Sequence, residues 1–217
     1  MDASSDQSGI PRRRFLKGTL AITAGGVLVP AVAGSSRAAD RLPALGQTVS
    51  LSVIVFGAVM TSNLQPGEQR LNFIGSRQVK VLAGGTDFVR LQTLDFRIEA
   101  AHPLFGKITM SLPDIDVTSA STVRLAPNGV TETWIESPAI TFEKSGDTEG
   151  PYIYYTEKPL TATAAMPSWP PPPQDTNSDG SPTGGTLYSP VQLPTFTAGD
   201  VSERVDFTAF PPSLGRL

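Results

Sequence analysis

A short run of oxygen-bearing side chains, D-T-N-S-D-G from Asp175 to Gly180, has a spacing that could bind a metal ion. Alternate positions carry carboxylate or amide oxygens, which are the ligands that hard cations such as Ca²⁺ prefer. The closing glycine permits the sharp turn that brings such oxygens together. The run is therefore a candidate site for calcium, and its composition fits no softer metal.

In its first six positions this run resembles the calcium loop of the EF-hand family. The resemblance implies a ligand set made of the side chains of Asp175, Asn177 and Asp179 and the backbone carbonyl of Ser181. Later positions depart from the family, because Thr186 replaces the bidentate Glu, Pro182 replaces an aliphatic residue, and four upstream prolines exclude an entering helix. Calcium is the one candidate cofactor, and we expect weak binding or none. The alternative, which we favour, is a solvated turn held by Asx hydrogen bonds.

Aromatic side chains cluster at Tyr152, Tyr154 and Tyr155, and Trp169 follows further along the chain. If Ile153 and Tyr155 face the core, Tyr152 and Tyr154 stand together on the opposite face of their strand. Rigid aromatic side chains give contact area at low entropic cost, so Tyr152, Tyr154 and Trp169 are candidate binding residues for a protein or a carbohydrate. The alternative, which we favour, is that the following proline-rich segment covers this face and Trp169 packs on it.

Titratable residues offer candidate acid–base chemistry. The single histidine, His102, lies in a predicted loop, and no G-x-S-x-G nucleophile elbow accompanies it, so we expect a structural role. Asp114 with Asp116, and Glu132 with Glu136, have even spacings that place each pair on one strand face. Such faces are ordinarily exposed to solvent, which is the arrangement we expect here. A hydrolase or lyase that uses two carboxylates is the alternative, and the catalytic residues stay unassigned.

Composition excludes several other classes of site. The 217 residues include no cysteine and one histidine, which excludes disulfides, thiolate nucleophiles, iron–sulfur clusters and zinc sites built on cysteine or several histidines. No glycine-rich phosphate loop precedes a helix, so a nucleotide enzyme is not expected. The 20 glycines and 20 prolines also disfavour long helices.

The elements that must position these residues are strands. Apolar residues alternate with polar ones from Val49 to Val55 and from Ile108 to Leu112, which predicts strands with one buried face. In 88–100 the apolar phase slips by one residue near Gln92 and Thr93, which indicates a β-bulge. We predict an all-β fold, a single antiparallel sandwich or barrel of about eight to ten short strands.

The segment 166–194 differs from the rest of the predicted domain 40–217. It contains four successive prolines and then a polar stretch nearly devoid of apolar residues. Polyproline II structure and a flexible turn are the predicted conformations, so we expect a long excursion without a strand. Apolar residues return after it, and a terminal strand is predicted at 201–209.

The N-terminal sequence P-R-R-R-F-L-K, from Pro11 to Lys17, precedes a modestly apolar run and two small-residue cleavage motifs. This segment resembles a twin-arginine export signal, and Pro11 is its one departure from the usual pattern. The resemblance assigns the recognition residues as Arg12, Arg13, Phe15, Leu16 and Lys17. It implies that residues 1–39 are a signal removed by signal peptidase after the twin-arginine translocase has exported the protein. A transmembrane anchor would need a longer and more strongly apolar run, so we expect no stable membrane span.

Removal of this signal changes the charge of the protein. The segment 1–39 holds five basic and two acidic residues, so the remainder carries 12 basic and 18 acidic residues, a net charge of −6. Nucleic acid is therefore not an expected partner. We predict a non-catalytic β domain with a binding or assembly role in the periplasm or outside a bacterial cell.

Overall fold

Three long antiparallel strands form the centre of the fold. The structure is a computed structural model, and it describes residues 42–113, 121–199 and 203–217. The long strands are β1 (Thr48–Ser62), β2 (Glu68–Leu82) and β3 (Phe88–His102), each of 15 residues. Their apolar residues alternate with polar ones, so one face of this three-stranded unit is buried and the other is largely exposed.

One half of this unit closes into a barrel, which we call barrel 1. It uses five further strands: β4 (Gly106–Ser111), β7 (Ala139–Ser145), β8 (Thr148–Lys158), β14 (Thr195–Thr197) and β15 (Arg204–Ala209). The pairing runs from β1 through β15, β14, β8, β7, β4, β3 and β2 and returns to β1. Among the described strands, barrel 1 is therefore a closed antiparallel ring in which each strand pairs with a neighbour on both sides.

The other half of the long strands forms a second barrel, which we call barrel 2. Its further strands are β5 (Ser121–Ala126), β6 (Gly129–Glu136), β9 (Leu160–Met166), β12 (Thr186–Leu187), β13 (Ser189–Gln192) and β16 (Pro212–Arg216). The strand β13 pairs with β9, and β12 pairs with β16, which returns to β1. Only Tyr188 separates β12 from β13, so one continuous segment bridges β9 and β16 and completes the wall of barrel 2.

The two barrels lie end to end because β1 and β3 change partners halfway along. In β1, residues 51–55 pair with β16 and residues 59–62 pair with β15. Gly57, with φ of 77°, accompanies the shift in β1 register between these halves. Gly75 pairs with Ile98 near this junction, and a Cβ there would lie 2.0 Å from the Arg97 carbonyl oxygen. The two long strands therefore approach closely where the barrels meet.

A single hydrophobic cluster fills both barrels. In barrel 1 this cluster is rich in phenylalanine. The centre of the Phe207 ring lies 6.2 Å from that of Phe73, 6.1 Å from that of Phe196 and 5.3 Å from that of Phe210. In barrel 2, Trp134 packs edge-on against Phe96 and Tyr188. Since the same cluster continues across the junction, the barrels share one core.

The predicted all-β antiparallel fold is confirmed, and the described ranges contain no helix. The predicted bulge in β3 is confirmed as well, because Val79 pairs with Thr93 while Gln78 pairs with Asp95, which leaves Leu94 without an opposite residue. In the part of the chain that the structure describes, the strands number sixteen, more than the predicted eight to ten, and three are long. The C-terminal strand β15 is followed by β16, which the sequence did not predict.

The segment 166–194 contains four short strands, which corrects the prediction of an excursion without strands. Besides β12 and β13 it forms a hairpin of β10 (Gln174–Thr176) and β11 (Pro182–Gly184). Gln174 fixes this hairpin to the barrel wall, because its Nε2 donates to Ser52 Oγ at 2.9 Å and its Oε1 accepts from Ser213 Oγ at 2.6 Å. The hairpin is thus held by specific contacts.

Candidate functional site

Some predicted functional residues lie outside the described ranges. They are the export residues Arg12, Arg13, Phe15, Leu16 and Lys17 and the acidic pair Asp114 and Asp116. Within the ranges that the structure does cover, no helix has the length and apolar character needed to cross a bilayer.

The structure does not have the arrangement in which Ile153 and Tyr155 face the core and Tyr152 and Tyr154 stand together on the opposite face. Tyr154 is 1% exposed and Tyr152 is partly buried, whereas Ile153 and Tyr155 are 43% and 54% exposed. The alternation in β8 holds, but its phase is reversed, since Tyr154 packs edge-on against the buried Phe142 at 5.8 Å. Burial, followed by the nearby Glu203 and Tyr152, raises the pKa of Tyr154 to about 12. Its hydroxyl has no hydrogen-bond partner among the described residues.

The candidate calcium loop is the turn of the β10–β11 hairpin. Asp179 Oδ1 accepts hydrogen bonds from the Ser181 amide at 2.9 Å and from its hydroxyl at 2.6 Å. The Ser181 carbonyl accepts the Asn177 amide at 2.8 Å, and Asp175 Oδ1 accepts the amide of the next residue at 2.7 Å. Three of the four proposed ligands therefore already accept hydrogen bonds within the turn. No group of three acidic, His or Cys side chains in the described ranges is placed to hold a metal ion.

The single histidine ends β3 and lines an open outer groove of 760 Å³ with Glu99, Lys107 and Glu143. His102 Nδ1 accepts the Leu104 amide at 3.3 Å, which holds the turn between β3 and β4. Partial burial lowers the pKa of His102, which favours the neutral form of its imidazole.

A cluster of charged side chains is buried inside barrel 2, and it is the strongest candidate site. Arg77 comes from β2, while Glu132 and Glu136 come from β6. Their exposed fractions are 0%, 0% and 1%. The expectation that Glu132 and Glu136 lie on an exposed face is therefore wrong. We call these three residues the buried charge cluster.

Glu132 is the centre of the cluster. Its Oε1 accepts from Arg77 Nη1 at 2.9 Å, and its Oε2 accepts from Trp169 Nε1 and from the Tyr188 hydroxyl, both at 2.7 Å. Trp169 and Tyr188 both come from the segment 166–194. One carboxylate oxygen thus holds two points of that segment against the interior of barrel 2.

The other contacts of the buried charge cluster are made by Glu136 and by Arg77. Glu136 Oε2 accepts from Thr93 Oγ1 at 2.9 Å and Trp134 Nε1 at 3.2 Å, and it lies 3.4 Å from Arg77 Nε. Arg77 Nη2 donates to Ser121 Oγ at 3.0 Å, and the guanidinium lies 5.2 Å from the centre of the Trp134 ring. Five strands or segments therefore meet at these charges.

Burial and neighbouring charges shift the pKa values of two groups at this cluster, Glu136 and Tyr188. Burial is the main cause of a raised pKa at Glu136, and Arg77 opposes it in part. Burial, and then the negative charge of Glu132, raises the pKa of Tyr188 well above its ordinary value. Tyr188 therefore stays protonated, and its hydroxyl donates a hydrogen bond to Glu132. Burial therefore favours the protonated form of Glu136 relative to an exposed glutamate, and Glu132 is a fixed acceptor for its three hydrogen-bond donors.

A signal in the sequence could have identified this cluster. Glu132, Trp134 and Glu136 share one face of β6 because their spacing is even. A tryptophan between two glutamates favours the buried face, since tryptophan is highly buried on average. Arg77 lies 55 positions from Glu132, and no local pattern connects them.

The outer surface carries a second feature, an apolar groove of 450 Å³ lined by Pro190, Val191, Leu193, Phe210 and Pro211. Val191 is 67% exposed, as is the neighbouring Leu187. This groove and the exposed Ile153 and Tyr155 are apolar surfaces accessible to a partner.

Comparison with known proteins adds information on the fold. No family model and no curated protein matches this sequence. The solved structure of DynF, from the dynemicin biosynthesis pathway of Micromonospora chersina, is similar, with a TM-score of 0.55 and 15% sequence identity. The similarity covers 81% of this chain and 82% of DynF. At this identity the likeness shows the fold alone.

Proposed function

We propose that this chain is an exported β-barrel protein that acts by binding or assembly, without catalysing a reaction. The observation that carries the proposal is the state of Glu132, whose two oxygens accept hydrogen bonds from three protein donors, Arg77, Trp169 and Tyr188. A catalytic carboxylate must reach a substrate proton. In this arrangement the carboxylate instead positions hydrogen-bond partners inside barrel 2.

Two further observations support the proposal. The sequence from Pro11 to Lys17 has the pattern of a twin-arginine signal, which supports export. The proline-lined groove beside Val191 and the exposed pair Ile153 and Tyr155 supply apolar contact area on the outside of the barrels. A protein or a carbohydrate is the partner class that such a surface fits.

Export is tested by replacing Arg12 and Arg13 together with lysine and measuring where the full chain accumulates. We expect the variant to stay in the cytoplasm, while the parent chain appears in the periplasm or medium. A control with Arg37→Lys, downstream of the twin arginines, should be exported normally. Export of the double variant at the parent's rate would contradict the twin-arginine assignment.

Binding is tested on the purified domain by light scattering and by electrophoresis in gels that contain polysaccharides. We expect the parent domain either to self-associate or to be retarded in a polysaccharide gel. The same effect should be weaker in the double variant Ile153→Ser/Tyr155→Ser or in Val191→Ser. The exposed Leu45→Ser is the matched control. A domain that is monomeric and unretarded in every gel would contradict a binding role for these surfaces.

The alternative is a hydrolase or lyase that uses the two buried glutamates, and the raised pKa of Glu136 favours it. Glycosides and polysaccharides are the substrates to test, with release of reducing ends as the measurement. An activity that both Glu132→Gln and Glu136→Gln abolish, in proteins that still melt cooperatively, would support this alternative and overturn the non-catalytic assignment.

A further inference from the structure

Trp169 follows β9 in the chain, and its side chain is buried in the interior of barrel 2. The last strand before it, β9, ends at Met166, and the chain then turns so that the Trp169 side chain is buried, with 5% exposed. Its indole Nε1 donates to Glu132 Oε2 at 2.7 Å. Trp169 therefore closes the end of the barrel where β9 stops and β6 begins.

An apolar groove lies at the same end of barrel 2. It has a volume of 390 Å³ and is lined by the β5–β6 turn and by the end of β9, including Asn128, Val130, Met166 and Pro167. Pro167 is two residues from Trp169, so the groove adjoins the segment that carries the indole. The groove is thus next in the chain to the segment whose indole reaches Glu132.

The chemistry beneath Trp169 is unusual for a structural core. Burying an ion costs several kcal/mol even after relaxation, and apolar residues of similar volume are often as stable as a buried ion network. Barrel 2 nevertheless keeps one guanidinium and two carboxyl groups at its centre, beside two tryptophans and a tyrosine. Such a set is suited to recognising a flat ring that carries a hydrogen-bond donor.

We propose that barrel 2 contains a binding site for a planar aromatic molecule bearing an N–H or O–H donor, and that the indole of Trp169 occupies this site when the barrel is closed. The ligand donates to Glu132 Oε2, which keeps its second hydrogen bond from Tyr188. The inference rests on the proposed binding function and names the ligand class. The outer surfaces could still bind a partner if this internal site did not exist.

The donor is the specificity element of the site. Glu132 Oε2 loses one of its two short hydrogen bonds when Trp169 leaves, and a buried acceptor left unpaired is costly. A ring with an N–H restores that bond, whereas the same ring with an N-methyl group cannot. A site built around a hydrogen bond rejects analogues that lack the donor.

The test opens the site with Trp169→Gly in the exported domain and uses indole as the probe. We expect indole to bind this variant at least tenfold more tightly than 1-methylindole, measured by calorimetry and by the rise in melting temperature. In Trp169→Gly/Glu132→Met, the two probes should bind equally. Equal binding of both probes to the single variant, or no binding of indole to a folded variant, would overturn the proposal.

Phe207→Gly provides the matched control, because it removes an aromatic ring in barrel 1 whose ring neighbours are all phenylalanine. Its cavity should not distinguish indole from 1-methylindole. If Trp169→Gly fails to fold, the indole N–H signal of Trp169 is followed by NMR in the parent domain during titration with indole. If the chemical shift of this N–H moves to that of an indole free of the Glu132 hydrogen bond, the added indole has displaced Trp169, which supports the proposal. An unchanged signal at saturating indole overturns it.

Discussion

At the scale of single residues, Arg77 determines whether two buried carboxyl groups are tolerated. It lies 2.9 Å from Glu132 and 3.4 Å from Glu136, and none of the three side chains reaches solvent appreciably. The mutual attraction in a low-dielectric interior offsets the loss of hydration only while both signs are present. Replacing Arg77 alone should therefore destabilise the folded protein more than replacing Arg77, Glu132 and Glu136 together by apolar residues.

Arg77→Met is predicted to destabilise the protein by about 3–5 kcal/mol, because it leaves buried carboxyl groups without a cation. Urea unfolding monitored by circular dichroism measures the loss. The variant that combines Arg77→Met with Glu132→Leu and Glu136→Leu should recover most of it. As a control, the exposed pair of Arg124 and Asp87 should contribute at most about 1 kcal/mol. A combined variant less stable than Arg77→Met would contradict this account.

The raised pKa of Glu136 predicts a pH dependence of stability. Because burial raises this pKa in the folded state above the ordinary value, the folded carboxyl binds its proton more tightly than the unfolded one. Its contribution is complete below the ordinary pKa and is lost as pH rises through the folded pKa. Glu136→Gln should therefore gain stability relative to the parent as pH rises, measured by urea unfolding at steps from pH 4 to 8.

Two comparisons make this measurement specific to Glu136. The ionisable group paired with Glu136 is Arg77, which also pairs with Glu132, and Tyr188 donates to Glu132; all three stay unchanged in the variant. Glu99 is the control of opposite sign, because its hydrogen bond from the exposed Arg97 lowers its pKa. Its contribution is lost as pH falls, and solvent screening keeps it small. A parallel pH profile for Glu136→Gln and the parent would contradict a raised Glu136 pKa.

At the scale of elements, period-two alternation was sufficient to predict the long strand β1 and the short strand β4, and insufficient to orient β6 and β8. In β6 and β8 the alternation is clear, yet Glu132 and Tyr154 both face the core, contrary to expectation. The sequence of one strand shows that its two faces differ in polarity. Which face is buried depends on its partners, and here Arg77 and Phe142 supply the compensating contacts.

The division of the long strands also escapes prediction from local sequence. The alternation in β1 predicts a strand, but no residue in it indicates that its halves pair with β16 and β15. These partners lie about 150 residues away along the chain, and their pairing is decided by packing of the whole sheet. The bulge in β3 was predictable because a slip of phase is visible within one strand.

The hairpin that carries Asp175 and Asp179 is predicted to bind calcium weakly or not at all. Its acceptors are engaged within the turn, and Asp179 has a lowered pKa because of hydrogen bonds from Ser181. Thermal melts with and without about 10 mM calcium measure the effect, since loose extracellular sites have dissociation constants of about 0.1–1 mM. A large calcium-dependent rise that disappears in Asp175→Ala/Asp179→Ala would establish a metal site and contradict this prediction.

At the scale of the whole molecule, the two barrels are joined by covalent continuity and by packing. The strands β1, β2 and β3 contribute to both walls, and one hydrophobic cluster passes through both interiors. Opening either barrel would expose the inner face of the shared strands. We therefore expect the barrels to unfold together in a single cooperative transition.

Phe207→Ala tests this cooperativity, because Phe207 lies in barrel 1 whereas both tryptophans of the chain, Trp134 and Trp169, report on barrel 2. Loss of a buried phenylalanine ring is predicted to cost about 3–5 kcal/mol. Tryptophan fluorescence and far-ultraviolet circular dichroism should then shift to lower urea by the same amount, although the substituted residue contacts neither tryptophan. The exposed Phe56→Ala controls for the change of residue type and should shift both signals slightly. A fluorescence transition that stays at the parent's midpoint, beside a biphasic dichroism curve, would mean that barrel 2 is stable without barrel 1.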